Sequence, residues 1–172
     1  MSSPVEPAAF RAVMARWPTG VSVVTGHEDG HDVGLTVNAF LSVSLTPPTV
    51  LVSLSLDADS TAVVDRTGRF TVNLLAASQR DVSERFARTI PSGEKFGELP
   101  IERGAGSVPR LRDALAALEC EVRSRLQVAD HRVFVGEVIA LHPGPDAPPL
   151  VFYHSGYAEV EQDGRYRLVP PR

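Results

Sequence analysis

The sequence predicts a mainly β fold, a small antiparallel barrel with short helices at its periphery. Three observations carry that prediction. The clearest is residues 118–128, where Leu118, Cys120, Val122, Ser124, Leu126 and Val128 alternate with Glu119, Glu121, Arg123, Arg125 and Gln127. One buried and one wet face is what an antiparallel sheet or barrel requires. Second, the strand-like segments do not alternate regularly with helical ones, which argues against a doubly wound parallel sheet. Third, 13 Gly and 14 Pro punctuate the chain, as many turns and short strands demand.

Taken in order, residues 7–17 read as a helix. Phe10, Val13, Met14 and Trp17 fall at i, i+3, i+4 and i+7, Pro7 suits a first turn and Pro18 stops the helix. Residues 20–25 are β-branched and strand-like. A polar Asp-Gly turn spans residues 27–32, and residues 33–37 return. Within residues 50–56, Val50, Val52, Leu54 and Leu56 share one face and Ser53 and Ser55 the other. Asp59 or Ser60 caps a short helix that ends at Gly68. Residues 70–75 form the next strand. Ser78-Gln79-Arg80-Asp81 resembles a capping box for a helix with Val82 and Phe86 on its apolar side. Residues 89–113 are broken by Gly and Pro into a long irregular stretch, a kind that is often functional. Strands over 132–141 and 150–160, and a short one over 165–169, complete about seven strands and three short helices.

The chain has 172 residues, one domain's worth, read here as a core over about 10–160 with short flexible tails. Its net charge of −4 argues against non-specific nucleic-acid binding. With 43% hydrophobic and 22% charged residues it can bury a core without staples. A single cysteine, Cys120, excludes an internal disulfide and a multi-cysteine metal cluster. No apolar run approaches the roughly 18 residues of a membrane span, and the N-terminus lacks the features of a secretory signal. The expected setting is cytoplasmic. No phosphate-loop, zinc-protease, nucleophile-elbow or Gly-x-Gly-x-x-Gly motif is present. His27 and His31 sit on a turn and read as solvated, with no metal site expected.

Residues 34–48, Gly-Leu-Thr-Val-Asn-Ala-Phe-Leu-Ser-Val-Ser-Leu-Thr-Pro-Pro, place hydroxyl and amide groups inside an apolar stretch. Two readings stand on the residues alone. One is a strand with satisfied polar side chains. In the other, Thr36, Asn38 and free backbone groups hydrogen-bond a flat heteroaromatic ring.

With Phe10-Arg11 and residues 18–25 before it, this segment resembles the flavin reductase-like family, the reductases of two-component flavin monooxygenases. Further matches follow in order over 68–75, 84–87, 95–96, 118–122, 130–138 and 149–153. The resemblance implies an FMN-binding split barrel and an NAD(P)H:flavin oxidoreductase using FMN or FAD with NADH or NADPH. It also implies a homodimer that supplies reduced flavin to a partner flavin-dependent monooxygenase. It places Gly34, Leu35, Thr36, Val37, Asn38 and Ala39 along the isoalloxazine ring, and Ser53, Leu54 and Ser55 on the adjoining wall. Asp59, Ser60 and Thr61 fall at the ribityl-phosphate end, where a helix start suits an anion. Arg85, Phe86, Lys95 and Phe96 fall near the flavin tail. Tyr153 and Tyr157 lie in the C-terminal stretch associated with nicotinamide. His131 shares parity with Val133 and Val135, which would aim it inward, and the resemblance sets it beside the nicotinamide as a positioning group. Two departures from the family pattern are Ala129 in place of a glycine and the order Tyr153-His154-Ser155-Gly156-Tyr157. Two alternatives accompany this reading: a split-barrel flavoprotein oxidising a small substrate with tightly held flavin, and a non-enzymatic flavin- or haem-binding module.

Overall fold

In a computed structural model, which describes residues 4–160 and 166–168, the chain forms strands of two to 13 residues with four α-helices around them. The elements are α1 (Pro7–Met14), β1 (Thr19–Gly20), β2 (Ser22–Glu28), β3 (His31–Val37), β4 (Phe40–Leu45), β5 (Pro48–Ser55), α2 (Asp59–Thr67) and β6 (Arg69–Leu74). They continue as α3 (Arg80–Ala87), α4 (Ser92–Phe96), β7 (Ile101–Arg103), β8 (Pro109–Leu111), β9 (Ala116–Val128), β10 (His131–Pro143), β11 (Leu150–Tyr153), β12 (Gly156–Val160) and β13 (Tyr166–Leu168). Seven strands make one antiparallel sheet in the order β3-β2-β6-β9-β10-β5-β4. Among the described residues β3 and β4 do not pair, so the sheet curls around its core without closing. Val24, Val52, Leu54, Phe70 and Phe134 fill that core. A second cluster, with Val23, Leu75, Phe86, Phe96 and Leu111, lies under α3, α4 and the β7–β8 hairpin. Among the described residues no helix is long and apolar enough to cross a membrane.

The mainly β barrel-like class holds, and several elements differ in detail. Residues 40–45 form an edge strand, β4, that turns through a cis Thr46–Pro47 bond into β5. Residues 150–160 are a hairpin, because His154 and Ser155 both adopt positive φ and turn the chain. Residues 89–113 contain α4 and the β7–β8 hairpin. Gln79, rather than Ser78, supplies the capping contact by accepting from the Ala76 N–H at 3.0 Å. Helix α2 starts at Asp59 after an Ala58 N-cap. The predicted strand at 165–169 is β13 where described; its remaining residues lie outside the described ones.

The long strand β9 departs most from simple alternation. The β9–β10 register skips Arg123 between the Val135–Ser124 and Gly136–Val122 pairs. That bulge reverses the parity of β9. Cys120 stays buried, but Leu126 is turned outward to 62% exposure. Arg125 turns to the opposite face and meets Asp65 at 2.9 Å. Glu119, expected to be wet, is 6% exposed because the 104–105 loop covers it: Ala105 N–H donates to Glu119 Oε2 at 2.7 Å.

The turn end of the β7–β8 hairpin is held by two carboxylates. Arg103 binds Asp32 through two nitrogens at 2.5 and 2.8 Å, and His27 Nδ1 lies 2.7 Å from the same carboxylate. Glu119 holds the Ala105 N–H and lies 2.6 Å from His142 Nε2, with Arg110 at 3.7 Å. Burial pushes both carboxyls up, but the hydrogen bonds and cations around them more than reverse it. Both end below the ordinary carboxylate value. A depressed folded-state value stabilises the fold above the unfolded pKa, near 4, and that contribution is lost as pH falls further. The melting temperature is therefore expected to drop below about pH 4, and Asp32→Asn to weaken that dependence. A pH series of thermal melts with the same acid slope in wild type and variant would contradict this role.

The β9–β10 turn carries Ala129 at φ 50°, a left-handed conformation costly for alanine. Ala129→Gly is expected to raise stability by about 0.5–1 kcal/mol after the added unfolded-state entropy is subtracted. A urea midpoint at or below wild type would show that the turn is unstrained.

Candidate functional site

The segment after β5 builds a small cleft. Ser55 ends β5, and its carbonyl accepts from Ala58 N–H at 3.2 Å and from the Thr61 hydroxyl at 2.5 Å. These bonds fold the 56–58 turn back and launch α2 directly over it. No side chain caps the first turn of α2, so its start presents amide donors and the positive end of the helix dipole. Leu35, Ser55, Asp59, Ser60 and Lys95 line this cleft, whose volume is ≈330 Å³. Five residues expected near a flavin from separate stretches of sequence thus meet in one place.

Lys95 is the unusual member. It is 7% exposed, and its Nζ donates to the carbonyls of Gly34 at 3.2 Å and Phe86 at 3.3 Å. No ion pair to Lys95 occurs among the described residues. Burial pushes its pKa down, and Asp59 opposes that only through space. A buried ammonium on neutral carbonyls, beside an uncapped helix start, fits an anionic group such as a flavin phosphate. Gly34 makes the arrangement possible. A Cβ there would stand 2.6 Å from Phe86 Cδ1. Phe86 in turn sits edge-on to Phe96, with centroids 5.0 Å apart, and fixes α4 and Lys95.

A second group lies on the outer face of the sheet. The register aligns Val128, His131 and Ser55 in one row and Leu126, Val133 and Ser53 in the next. His131 does share parity with Val133 and Val135, but that face points outward, because Phe134 and Gly136 take the core side. The side chain of His131 is 45% exposed, and its Nδ1 lies 2.8 Å from Asp130 Oδ1. The hydrogen bond from His131 holds the Asp130 carboxyl below its ordinary value, aided by a backbone N–H. Ser53 N–H donates to Ala39 O at 3.0 Å, which joins this face to Asn38 and Ala39. Those two line a wide apolar groove of ≈840 Å³ with Met14, Trp17, Phe40 and Leu41.

The remaining candidates are distributed around these two groups. Val37 and Leu54 project into the barrel core and present only backbone. Thr36 donates to Ser83 O at 2.7 Å, and Ser83 Oγ is 2.8 Å from the Tyr157 hydroxyl. This chain ties β3, α3 and β12 together. Tyr157 also carries the Arg80 guanidinium 5.1 Å from its ring centroid. Tyr153 stacks edge-on against His154, with centroids 4.4 Å apart. Arg85 lies beside Gly97. Arg88, Thr89 and Ser92 line the small cleft without having been singled out. Their only signal in the sequence is position: Thr89 and Ser92 fall at the start of the irregular 89–113 stretch, and Arg88 immediately precedes it.

The family model described as "Flavin reductase like domain" matches residues 14–161. The NADH-dependent flavin reductase StyB of Pseudomonas fluorescens is 40% identical over 156 residues, covering 89% of each chain. The reductase component of 4-hydroxyphenylacetate 3-monooxygenase from Thermus thermophilus is 37% identical, covering 88% of this chain and 95% of that one. Among solved structures, the NADH:FAD oxidoreductase SgcE6 of Streptomyces globisporus superposes with a TM-score of 0.82 at 31% identity, covering 99% of both chains. The family model over most of the chain, these relatives and the superposition agree: the chain belongs to the flavin reductase-like family.

Proposed function

We propose that this chain is an NADH-dependent flavin reductase that supplies reduced flavin to a partner monooxygenase. Bound flavin provides the chemistry, accepting hydride from the reduced nicotinamide. The protein's part is binding, orientation and electrostatics, so no side chain need act as nucleophile or general base. Lys95 carries the reading: a buried cation with no ion-pair partner among the described residues, lining a cleft that the uncapped start of α2 also borders. Ser60 and the start of α2 complete the anion end, while Ser53, Ser55 and His131 line the adjoining outer face. The relatives' nicotinamide is NADH by their printed names. The experiment is a steady-state assay following nicotinamide oxidation with FMN or FAD and NADH or NADPH. No turnover with any pair would sink the proposal.

His131 is assigned as a positioning group for the nicotinamide, oriented by Asp130. His131→Ala is expected to lower kcat/KM for NADH by about 5- to 30-fold, or about 1–2 kcal/mol, the scale of one lost hydrogen bond. Flavin affinity should hold. Wild-type kcat/KM would make His131 purely structural.

A homodimer is part of the same reading. Leu41, Leu126 and Val128 are exposed on the face that carries Ser53 and His131. Phe10, Val13 and Met14 of α1 and Trp17, in the turn that follows it, are exposed as well, Trp17 at 67%. A two-fold copy is the commonest cover for such surface. Light scattering should give twice the 18.5 kDa chain mass; a stable monomer would contradict it. A single domain in a reducing cytoplasm completes the proposal.

A further inference from the structure

We propose that Tyr157 is a positioning residue for the flavin site, acting through Ser83 and α3 on Lys95 without touching flavin or nicotinamide. This rests on the flavin reductase reading. Ser83, in the middle of α3, is fully buried and held from two sides. Its carbonyl accepts from the Thr36 hydroxyl at 2.7 Å, and its own hydroxyl lies 2.8 Å from the Tyr157 hydroxyl. Thr36 is on β3 of the seven-stranded sheet, whereas Tyr157 is on β12 of the sheet built from β1, β11, β12 and β13. Tyr157 is itself braced. It stands edge-on to its strand partner Phe152, with centroids 5.7 Å apart, and carries the Arg80 guanidinium on its ring. It borders a hollow beside Arg80 and Glu84. The cleft at Lys95 lies at the other end of α3, beside Ala87 and Arg88.

The setting of Lys95 depends on where α3 lies. One of the two carbonyls that its Nζ donates to belongs to Phe86, about one turn after Ser83 on the same helix. The other belongs to Gly34, two residues before Thr36 and so on the same face of β3. The Thr36 bond and the close approach of Phe86 to Gly34 fix how far α3 stands from β3. Both contacts are with one strand, so they leave the helix able to roll on it. The Tyr157–Ser83 bond opposes that roll, because it reaches α3 from the other sheet. A helix backbone runs about 2.3 Å from its axis, so a roll of about 15° moves a carbonyl by about 0.6 Å. That is enough to take the 3.3 Å contact of Lys95 with Phe86 O out of hydrogen-bonding range. Tyr157→Phe would leave the buried Ser83 hydroxyl without this partner, a cost that α3 relieves by rolling.

The test is titration of flavin-free protein with FMN and with FAD, followed by flavin fluorescence, beside steady-state kinetics with NADH at saturating flavin. Tyr157→Phe is expected to weaken flavin binding by about 3- to 10-fold, the scale of one hydrogen bond, with KM for NADH held. Ser83→Ala removes the same bond, so the Ser83→Ala/Tyr157→Phe double variant should bind flavin no more weakly than Tyr157→Phe alone. In a Lys95→Met background Tyr157→Phe should cost less than about 2-fold, because the group it positions is gone. An equal loss in both backgrounds would make Tyr157 purely structural and overturn the proposal. Unchanged flavin affinity in Tyr157→Phe would overturn it too. So would a raised KM for NADH, which would mark Tyr157 as a nicotinamide contact. Failure of wild type to bind any flavin would instead remove the reductase reading, and this inference with it.

Discussion

Gly34→Ala is expected to destabilise the fold by about 2–4 kcal/mol, the scale of overpacking a fully buried site. The new methyl would lie 2.6 Å from Phe86 Cδ1 and closer still to Cε1. Phe86 cannot swing aside cheaply, because it is fully buried and packed edge-on against Phe96. The strain must be relieved by lifting α3 and α4 off β3. That movement would also lengthen the Lys95 contact to the Gly34 carbonyl, so flavin binding should weaken with stability. Urea unfolding gives the stability, and a Gly34→Ala/Phe86→Leu double variant should recover part of the loss by making room. A Gly34→Ala midpoint equal to wild type would show that β3 and α3 do not meet so closely in solution.

Lys95→Met should separate binding from stability. Methionine nearly matches the length of the lysine stem and removes the charge. Flavin affinity is expected to fall by about 30- to 150-fold, or about 2–3 kcal/mol, for loss of a charge-assisted contact in a partly desolvated cleft. Stability should change by less than about 1 kcal/mol, because the desolvation cost of the ammonium disappears along with its two carbonyl bonds. The depressed pKa adds a pH signature. In wild type the ammonium is lost as pH rises through a value below that of ordinary lysine. Affinity should therefore weaken at alkaline pH earlier than for an exposed lysine, and the variant should lack that limb. Fluorescence titration at several pH values reads both effects. Wild-type affinity in the variant would remove Lys95 from the anion site.

The local pattern of residues determined the fold class and most strands. Val50, Val52 and Leu54 alternate against Ser53 and Ser55 as read, because a period of two follows directly from the pleat. The helices α2 and α3 and the β2–β3 hairpin were likewise legible, since turn chemistry and apolar spacing are local. The order of the family's segments along the chain also pointed to the chemistry. What the sequence could not carry was parity across irregularities. The bulge at Arg123 reverses the face of Leu126 and Val128, and nothing in the alternation marks it. His131 was read as inward for the same reason: parity says which residues share a face, and only the curl of the sheet says which face is inside. Glu119 and Lys95 look like surface charges in sequence. The 104–105 loop buries one, and the α4–β3 contact allowed by Gly34 buries the other. The polar partners of Lys95 are carbonyls from residues 61 and 9 positions away. Long-range closure of this kind is set by the packing of separate elements, so the cation that carries the functional reading acquired its meaning only in the tertiary structure.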